Sequence, residues 1–243
     1  MKWQVELVGD DSNLAELSKS FNSEKQKLFK EGGHYFFSSS DFNEIADADI
    51  VRRKSEVIIG FINGGSKLIE EFKKPIIVGN IEWLDDKGKR NTYVYPGGAV
   101  LTTGFLRPTL IIDGKEQESF IFNDLAKWVS LAKQDVNVAK VLNYLQTGSK
   151  DVVTLYKIFE IIRDDVGGQE FIANNGWSTL EEIKSFRGTA NNPDVIGDKA
   201  RHGFVGKHPL PKNPMSLDEL KLFIRNLVKR WLEFKLSCQK MTT

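Results

Sequence analysis

The apolar residues of this chain change their spacing near residue 120, and this change constrains the fold more than any other feature. Before that point, short runs rich in Val, Ile, Thr and aromatic residues are bounded by Gly, Asp, Asn or Lys, as is typical of strands. After it, apolar residues recur every three or four positions, as in amphipathic helices. The pattern predicts an α+β protein, with an α+β domain over residues 1–119 and an α-helical bundle over residues 120–243.

The first part of the chain contains runs that predict two helices and several strands. The helical runs cover residues 12–21, with Ser12 as candidate N-cap, and residues 46–62, which end at Asn63. The second helix places these apolar residues on one face: Ile50, Val57, Ile58, Phe61 and Ile62. Since four of the strands follow both helices, we expect a mixed, largely antiparallel sheet with a hairpin at 84–90. The strand runs are 3–8, 34–39, 75–83, 91–96, 99–105 and 108–113.

The second part of the chain predicts five helices with short connections. Capping-box patterns pair Ser178 with Glu181 and Ser216 with Glu219. The last helix is the clearest element, since its apolar residues form one wide stripe: Leu220, Phe223, Ile224, Leu227, Val228, Trp231 and Leu232. The helical runs are 122–134, 136–148, 151–168, 178–188 and 216–236.

Composition narrows the class of protein. Apolar residues make up 40% and charged residues 28% of the 243 residues, which is ordinary for a globular protein. The single cysteine, Cys238, has no second cysteine to pair with, which fits a reducing compartment. The first residues lack the apolar region of a signal peptide, and no run approaches the length of about 18 apolar residues that a membrane span needs. We therefore expect a cytoplasmic protein of prokaryotic style with no membrane partner.

Several kinds of site are not indicated. The segment "INGGSK" (62–67) contains glycines and a lysine, but it lacks the spacing of a phosphate-binding loop and follows a helix, so a helix C-terminus is expected there. With three histidines and one cysteine, the chain shows no metal-ligand pattern, and we predict neither a metal nor a cofactor. Cys238 has no base nearby in the sequence, so a nucleophilic cysteine is not expected.

Positive charge collects toward the end of the chain. Residues 201–243 hold nine Lys and Arg against three Asp and Glu, a net charge of +6. Lys221, Arg225 and Lys229 recur at every fourth position on the last helix, and Lys207 precedes them, so these four are candidate contacts for a polyanion. The alternatives are a solvated helix face, or a face that meets the acids elsewhere in the helical part: Glu160, Asp164, Asp165, Glu181 and Glu182.

The loop "GDKARHGFVGKHPLPKNP" (197–214) gathers Arg201, His202 and His208. Cleaving RNA without a metal ion requires a group that takes the 2′-OH proton, a group that protonates the leaving oxygen and a cation for the phosphate. Histidine titrates near neutral pH, and the arginine fork matches phosphate oxygens. These three side chains are therefore candidate catalytic residues.

The motif Arg201-His202-x5-His208 resembles the signature of the HEPN superfamily, in which Arg is followed by a polar residue and, a few residues later, by His. HEPN domains are all-helical parts of bacterial toxins, antiphage defence systems and CRISPR effectors, and many are metal-independent ribonucleases. The resemblance covers residues 120–243 and implies that Arg201 binds the scissile phosphate, His208 transfers a proton and His202 orients the site. It also implies a homodimer that brings two motifs into one cleft.

Two acids are candidate support for this site. The helical pattern places Glu160 at the edge of an apolar face, where it is either a polar partner of Arg201 or a solvated carboxylate. Asp198 is a candidate partner of Arg201 or His202. Residues 186–203 predict a long connection before the loop, which is typical of functional or mobile segments.

A second function remains open from the sequence. In it, the helical part is a non-catalytic dimerisation or scaffold bundle, and residues 1–119 bind a protein partner, a peptide or a small ligand. A ribonuclease predicts that Arg201 and His208 converge on an open basic cleft. The scaffold predicts that their side chains are tied into the bundle or point apart.

Overall fold

The computed structural model divides into two compact units, Met1–Val129 and Ser130–Thr243, called here the N-terminal unit and the helical unit. The predicted fold class is confirmed, since an antiparallel sheet with two helices is followed by a helical region. None of the helices over the described residues is long and apolar enough to span a lipid bilayer. The structure describes residues 2–69, 74–85, 87–95, 111–112, 115–116, 120–148, 151–202 and 211–240.

The N-terminal unit is built on a five-stranded antiparallel sheet in the order β2-β3-β1-β4-β5. The central strand β1 pairs with β3 on one side and with β4 on the other, where Trp3 lies opposite Trp83. The predicted hairpin joins β4 to β5, and Gly88 adopts the positive φ of 79° that its turn requires. The strands are β1 (Lys2–Val8), β2 (Gln26–Glu31), β3 (His34–Ser39), β4 (Ile77–Leu84) and β5 (Arg90–Tyr93).

The edge strand β2 was not predicted from the sequence. Its segment "QKLFKE" buries only Leu28, which lies opposite Phe37 of β3, and its other side chains are half-buried or exposed. A polar edge strand of this kind lacks the apolar alternation that identifies strands, since it pairs on one side only.

The two helices of this unit begin and end at different residues from those predicted. Helix α1 (Asp11–Ser20) has Asp10 as its N-cap, not Ser12, because the Asp10 carboxylate accepts a bond from the backbone N–H of Asn13. Helix α2 (Ala48–Ser66) continues through the glycine pair instead of ending at Asn63.

Close packing explains why α2 runs through its glycines. A Cβ atom at Gly65 would overlap Cδ1 of Leu125, a buried residue of the next helix, so only glycine fits this contact. The predicted apolar face of α2 is also partly wrong. Ile58 and Ile62 are buried, whereas Ile50 is 39% and Val57 56% exposed.

Two predicted segments lie mainly outside the described residues, namely the turn at 95–100 and the strand at 99–105. Of the predicted strand 108–113, the structure describes Ile111–Ile112, named β6, which pairs with β7 (Lys115–Glu116) in a separate two-stranded ribbon.

The helices of the second part of the chain include the five predicted ones. Helix α3 contributes residues to both units, since the first unit ends at Val129. In the helical unit, α5 packs against α4, α7 and α9. The helices are α3 (Phe120–Ala132), α4 (Val136–Gly148), α5 (Val152–Asp165), α6 (Gln169–Asn174), α7 (Leu180–Ala190), α8 (Pro193–Ile196) and α9 (Leu217–Lys240).

The expected long connection at 186–203 is wrong for most of its length. Helix α7 continues through Gly188 to Ala190, and Asn192 then caps the one-turn helix α8 by accepting a bond from the backbone N–H of Asp194. A Pro at the first position of α8 fits a helix start, since its missing N–H would have no partner there.

Capping boxes were predicted at the starts of two helices, and one of the two predictions is confirmed. The box at α9 is confirmed, since Ser216 and Glu219 each accept a bond from the backbone N–H of the other. The box at α7 is shifted by one residue and pairs Thr179 with Glu182 rather than Ser178 with Glu181. Both candidate pairs, one with Ser and one with Thr, fit the capping-box pattern, so the pattern alone does not choose between them.

The apolar stripe of α9 forms much of the core of the helical unit, as predicted. Trp231 is fully buried, and its indole N–H donates to the Asp165 carboxylate at 2.8 Å. Phe223 stacks on Phe186 of α7, with ring centres 4.6 Å apart. The buried residues of the stripe are Leu220, Ile224, Leu227, Val228, Trp231 and Leu232.

Candidate functional site

Arg201 is held against helix α5 of the helical unit by two contacts. Its guanidinium carbon lies 4.5 Å from the centre of the Tyr156 ring, and Nη2 lies 3.3 Å from Oε1 of Glu160. Tyr156 and Glu160 are four residues apart on α5, so they share one face of the helix. The backbone N–H of Arg201 donates to the carbonyl of Ala190 at 2.8 Å. Residue 201 is therefore fixed by both α5 and the end of α7.

The surface beneath Arg201 belongs to the aromatic core of the unit. Tyr156 is buried and its ring stacks on that of Phe186, with centres 6.0 Å apart. The Tyr156 hydroxyl accepts a bond from Nδ2 of Asn191 at 3.2 Å. Since rings packed in this way have one position, the cation above them is also held in one place.

His202, the next residue, lines a pocket of about 860 Å³ along one face of α7. The described part of the wall is completed by Gln169, at the start of α6, and by Pro211, Lys212 and Asn213, beyond the loop. We call this space the α7 pocket. The residues that α7 and its C-cap Asn191 contribute are Leu180, Glu181, Lys184, Ser185, Arg187, Gly188 and Asn191.

Positive charge dominates the wall of the α7 pocket. Lys184, Arg187 and Lys212 are cationic at neutral pH, whereas Glu181 is the single acid among the described lining residues. Charges of one sign around a concave surface concentrate the field inside it and attract ions of the opposite sign. The pocket is therefore suited to an anionic ligand.

Arg187 is oriented by a neighbouring helix. Its Nη1 donates to Oε1 of Gln169 at 3.0 Å, whereas its Nε is buried and has no hydrogen-bond partner among the described residues. Oδ1 of Asn191, one turn further along α7, is also buried without a partner in that part of the chain. The hydrogen bond to Gln169 therefore orients the guanidinium, whereas the two buried atoms carry the cost of a missing hydrogen bond.

A close backbone approach sets the edge of the pocket. A Cβ atom at Gly188 would lie 3.0 Å from Cβ of Pro211, closer than side chains normally approach. Glycine at this position lets the chain after the loop lie directly on α7. The distance between Lys212 and the α7 side chains depends on this contact.

The cations predicted on α9 do not line the α7 pocket. Lys221 pairs with Asp218 at 2.8 Å, and Arg225 is half-buried. Burial, together with the charge of Arg225, lowers the pKa of Lys229. Two predicted site residues lie outside the described residues. They are Lys207, a predicted substrate-binding residue, and His208, a predicted catalytic residue.

Other cations of the basic segment meet acids of α5. Glu160 contacts Arg201, and Asp165 accepts bonds from the Lys235 ammonium at 2.9 and 3.1 Å. Lys235 also lies 2.6 Å from Asp135. Asp198 is exposed in the turn Gly197–Lys199. Part of the basic charge is therefore neutralised within the unit.

The residues of the α7 pocket that sequence reasoning missed are Gln169, Lys184, Arg187, Asn191 and Lys212. The polar face of α7 has the spacing of an ordinary solvated helix face, and nothing in the sequence shows that residues 211–213 cover part of it. The available signal was the series Lys184, Arg187, Gly188 and Asn191, which combines cations, an amide and a glycine on one face.

Within the described residues, no group of three or more His, Cys, Asp or Glu side chains is placed to hold a metal ion. The chain matches no protein-family model, no curated protein and no solved structure.

Proposed function

We propose that the helical unit binds the phosphate backbone of RNA in the α7 pocket and cleaves it without a metal ion. The observation that carries the proposal is the wall formed by Lys184, Arg187 and Lys212 next to His202. Lysine and arginine are the usual partners of phosphate groups, and histidine transfers protons near neutral pH.

The proposed reaction requires two groups that exchange protons with the RNA. The 2′-oxygen attacks the neighbouring phosphorus and loses its proton to one histidine, while the bond to the 5′-oxygen breaks and that oxygen takes a proton from the other histidine. The products carry a 2′,3′-cyclic phosphate and a 5′-hydroxyl group. We assign the two proton transfers to His202 and His208, which the HEPN-like motif places in one loop.

Arg201 is a positioning residue in this proposal. Its guanidinium is engaged by Tyr156 and Glu160, and its backbone by Ala190, so its contribution is to hold His202 at the pocket. We place the activity in the cytoplasm and in a homodimer, as the single cysteine and the resemblance to HEPN domains imply.

The test is cleavage of a labelled RNA pool in EDTA by the full chain. We expect cleavage of RNA and not of DNA with the same sequence, because DNA lacks the attacking hydroxyl. Exchanging either histidine, as His202→Asn or His208→Asn, should slow cleavage by roughly 100-fold or more. The double variant Lys184→Gln/Lys212→Gln should bind RNA more weakly, and Lys140→Gln, an exposed lysine of α4, is the matched control. A wild-type chain that neither binds nor cleaves RNA contradicts the proposal.

A second candidate function is a non-catalytic binding module. The observation that favours it is the engagement of Arg201 by Glu160 and Tyr156, which is the arrangement expected of a structural arginine. In that case residues 1–119 bind the partner, and RNA is bound without being cleaved or is not bound at all. The same assay separates the two functions, since only the ribonuclease produces cyclic phosphate ends.

A further inference from the structure

A second pocket of the helical unit is lined by two aromatic side chains, Trp177 and Phe234, and Phe171 packs against both rings without lining the space. Phe171 of α6, Trp177 of the following loop and Phe234 of α9 form a triangle, with ring centres 5.4 to 5.6 Å apart. Trp177 and Phe234 are half-buried, so the cluster lies at the edge of the unit rather than in its core.

This aromatic pocket has a volume of about 460 Å³. Gly176 forms the bend that brings Trp177 back over α6, with a φ of +67° that other residues rarely adopt. Asn175 and Ser237 also line the space, so polar groups surround the rings. A pocket of this size accommodates a flat ring system but not a folded segment of protein.

The charges at its edge distinguish between kinds of ligand. Arg230 and Glu233 both line the pocket, and their charged atoms lie 3.6 Å apart with 61% and 64% of the side chains exposed. Together they carry no net charge, and the carboxylate repels a phosphate group. A neutral ring with both hydrogen-bond donors and acceptors on its edge fits this pair, and the aromatic side chains fit its face. The unpaired bases of nucleic acids have these properties.

We propose that the aromatic pocket binds an unpaired base of single-stranded RNA, which stacks on Trp177 and contacts the inclined ring of Phe234 with its edge. This inference rests on the proposed function, because it supplies a base site beside the phosphate site. Gln169, at the first position of α6, lines the α7 pocket, and Asn175, just beyond its last position, lines the aromatic pocket. Six helical residues span about 9 Å along the helix axis, a distance that a single strand of RNA can cover.

The test compares two oligonucleotides of equal length on the full chain, one of ordinary single-stranded RNA and one with the same backbone but no bases. In the variant Trp177→Leu, we expect affinity for the ordinary strand to fall about tenfold, since stacking on one aromatic side chain contributes that much. Affinity for the baseless strand should not change. Trp177→Phe keeps an aromatic ring and should restore most of the lost affinity.

Each result has a definite meaning. If Trp177→Leu weakens only the ordinary strand, the base site is supported. If both strands bind and the variant behaves as the wild type, or weakens both strands equally, the aromatic pocket is not a base site, whereas the phosphate site stands. If neither strand binds the wild-type chain, both proposals are wrong. The thermal unfolding of Trp177→Leu, measured beside that of Trp177→Phe, identifies a variant that is merely unfolded.

Discussion

The guanidinium of Arg201 lies over the ring of Tyr156, with 4.5 Å between the guanidinium carbon and the ring centre. Arg201→Ala removes this contact and the ion pair with Glu160, and we expect the free energy of unfolding to fall by about 1 kcal/mol. The cost is modest because a third of the Arg201 side chain is exposed (33%). Urea unfolding measures it, with Lys199→Ala, an exposed neighbour, as the control. Equal stability of the two variants would show that these contacts contribute nothing.

The Lys235 ammonium lies between Asp135 and Asp165, whose side chains are 22% and 11% exposed. Lys235→Met leaves both carboxylates without their cation, and we expect a loss of about 3 kcal/mol in the free energy of unfolding at pH 7. Thermal and urea unfolding measure the loss. A variant as stable as the wild type would contradict the role given to this lysine.

The stability of the wild type should also depend on pH through Asp165. Burial raises the pKa of this carboxyl, but bonds from Asn137, Lys235 and Trp231 outweigh it, so its pKa lies below the ordinary 3.8. A lowered pKa adds stability that is fully present above the ordinary value and is lost as pH falls through the value in the folded protein. We therefore expect the difference between the wild type and Lys235→Met to shrink as pH falls below the ordinary value of 3.8. A difference that grows would contradict the assignment.

Gly65→Ala tests the contact between α2 and α3. Alanine is better than glycine in a helix by about 1 kcal/mol, but its Cβ would overlap Leu125 in a packed core, which costs about 1 to 3 kcal/mol. We expect a net loss of stability in thermal unfolding. The double variant Gly65→Ala/Leu125→Val should lose less than the sum of the two single variants, because valine leaves room for the added methyl group. Strict additivity would show that the two residues do not interfere.

Thr179→Ala tests the start of α7. The Thr179 hydroxyl accepts a hydrogen bond from the backbone N–H of Glu182 at 3.1 Å. We expect loss of this hydrogen bond to lower the free energy of unfolding by about 1 kcal/mol. Ser178→Ala removes a hydrogen bond to the exposed Glu182 side chain and a longer one, of 3.4 Å, to the carbonyl of Thr179, but no bond from a backbone N–H of the helix, and it should cost less. If the two costs are reversed, the helix starts one residue earlier, as the sequence pattern predicted.

The salt dependence of RNA binding tests the α7 pocket independently of cleavage. Each cation that neutralises a phosphate of a single strand contributes about 0.7 to the slope of log affinity against log salt concentration. Lys184→Gln/Lys212→Gln should therefore reduce the slope by about 1.4, and Lys140→Gln should leave it unchanged. An unaltered slope in the double variant means that the phosphates lie elsewhere.

The sequence was most informative where one physical effect determines the structure. The stripe of α9 was predicted because burial of Leu220, Ile224 and Trp231 requires the helical spacing. The predicted ends of two helices were wrong because tertiary packing overrides local preference. Gly65 and Gly188 remain helical, although glycine usually ends a helix. The strand β2 was missed because an edge strand needs no apolar alternation.

The candidate site was only partly predictable for a similar reason. Arg201 and His202 stood out because their residue types carry chemistry, and Glu160 was a candidate because of its place at the edge of a helix face. Arg187 and Lys212 come together only after residues 211–213 lie on α7, and no local pattern contains that information. A site assembled from segments distant in sequence is visible only in the fold.

The burial of the α9 stripe has a consequence for how the protein is made. Helix α9 follows all other described elements in the chain, so it leaves the ribosome after them. Until then, α5 and α7 lack the helix that covers Phe159 and Phe186, and these rings stay open to water and to other nascent chains. The helical unit is therefore most prone to aggregate in the interval before its final helix has been translated.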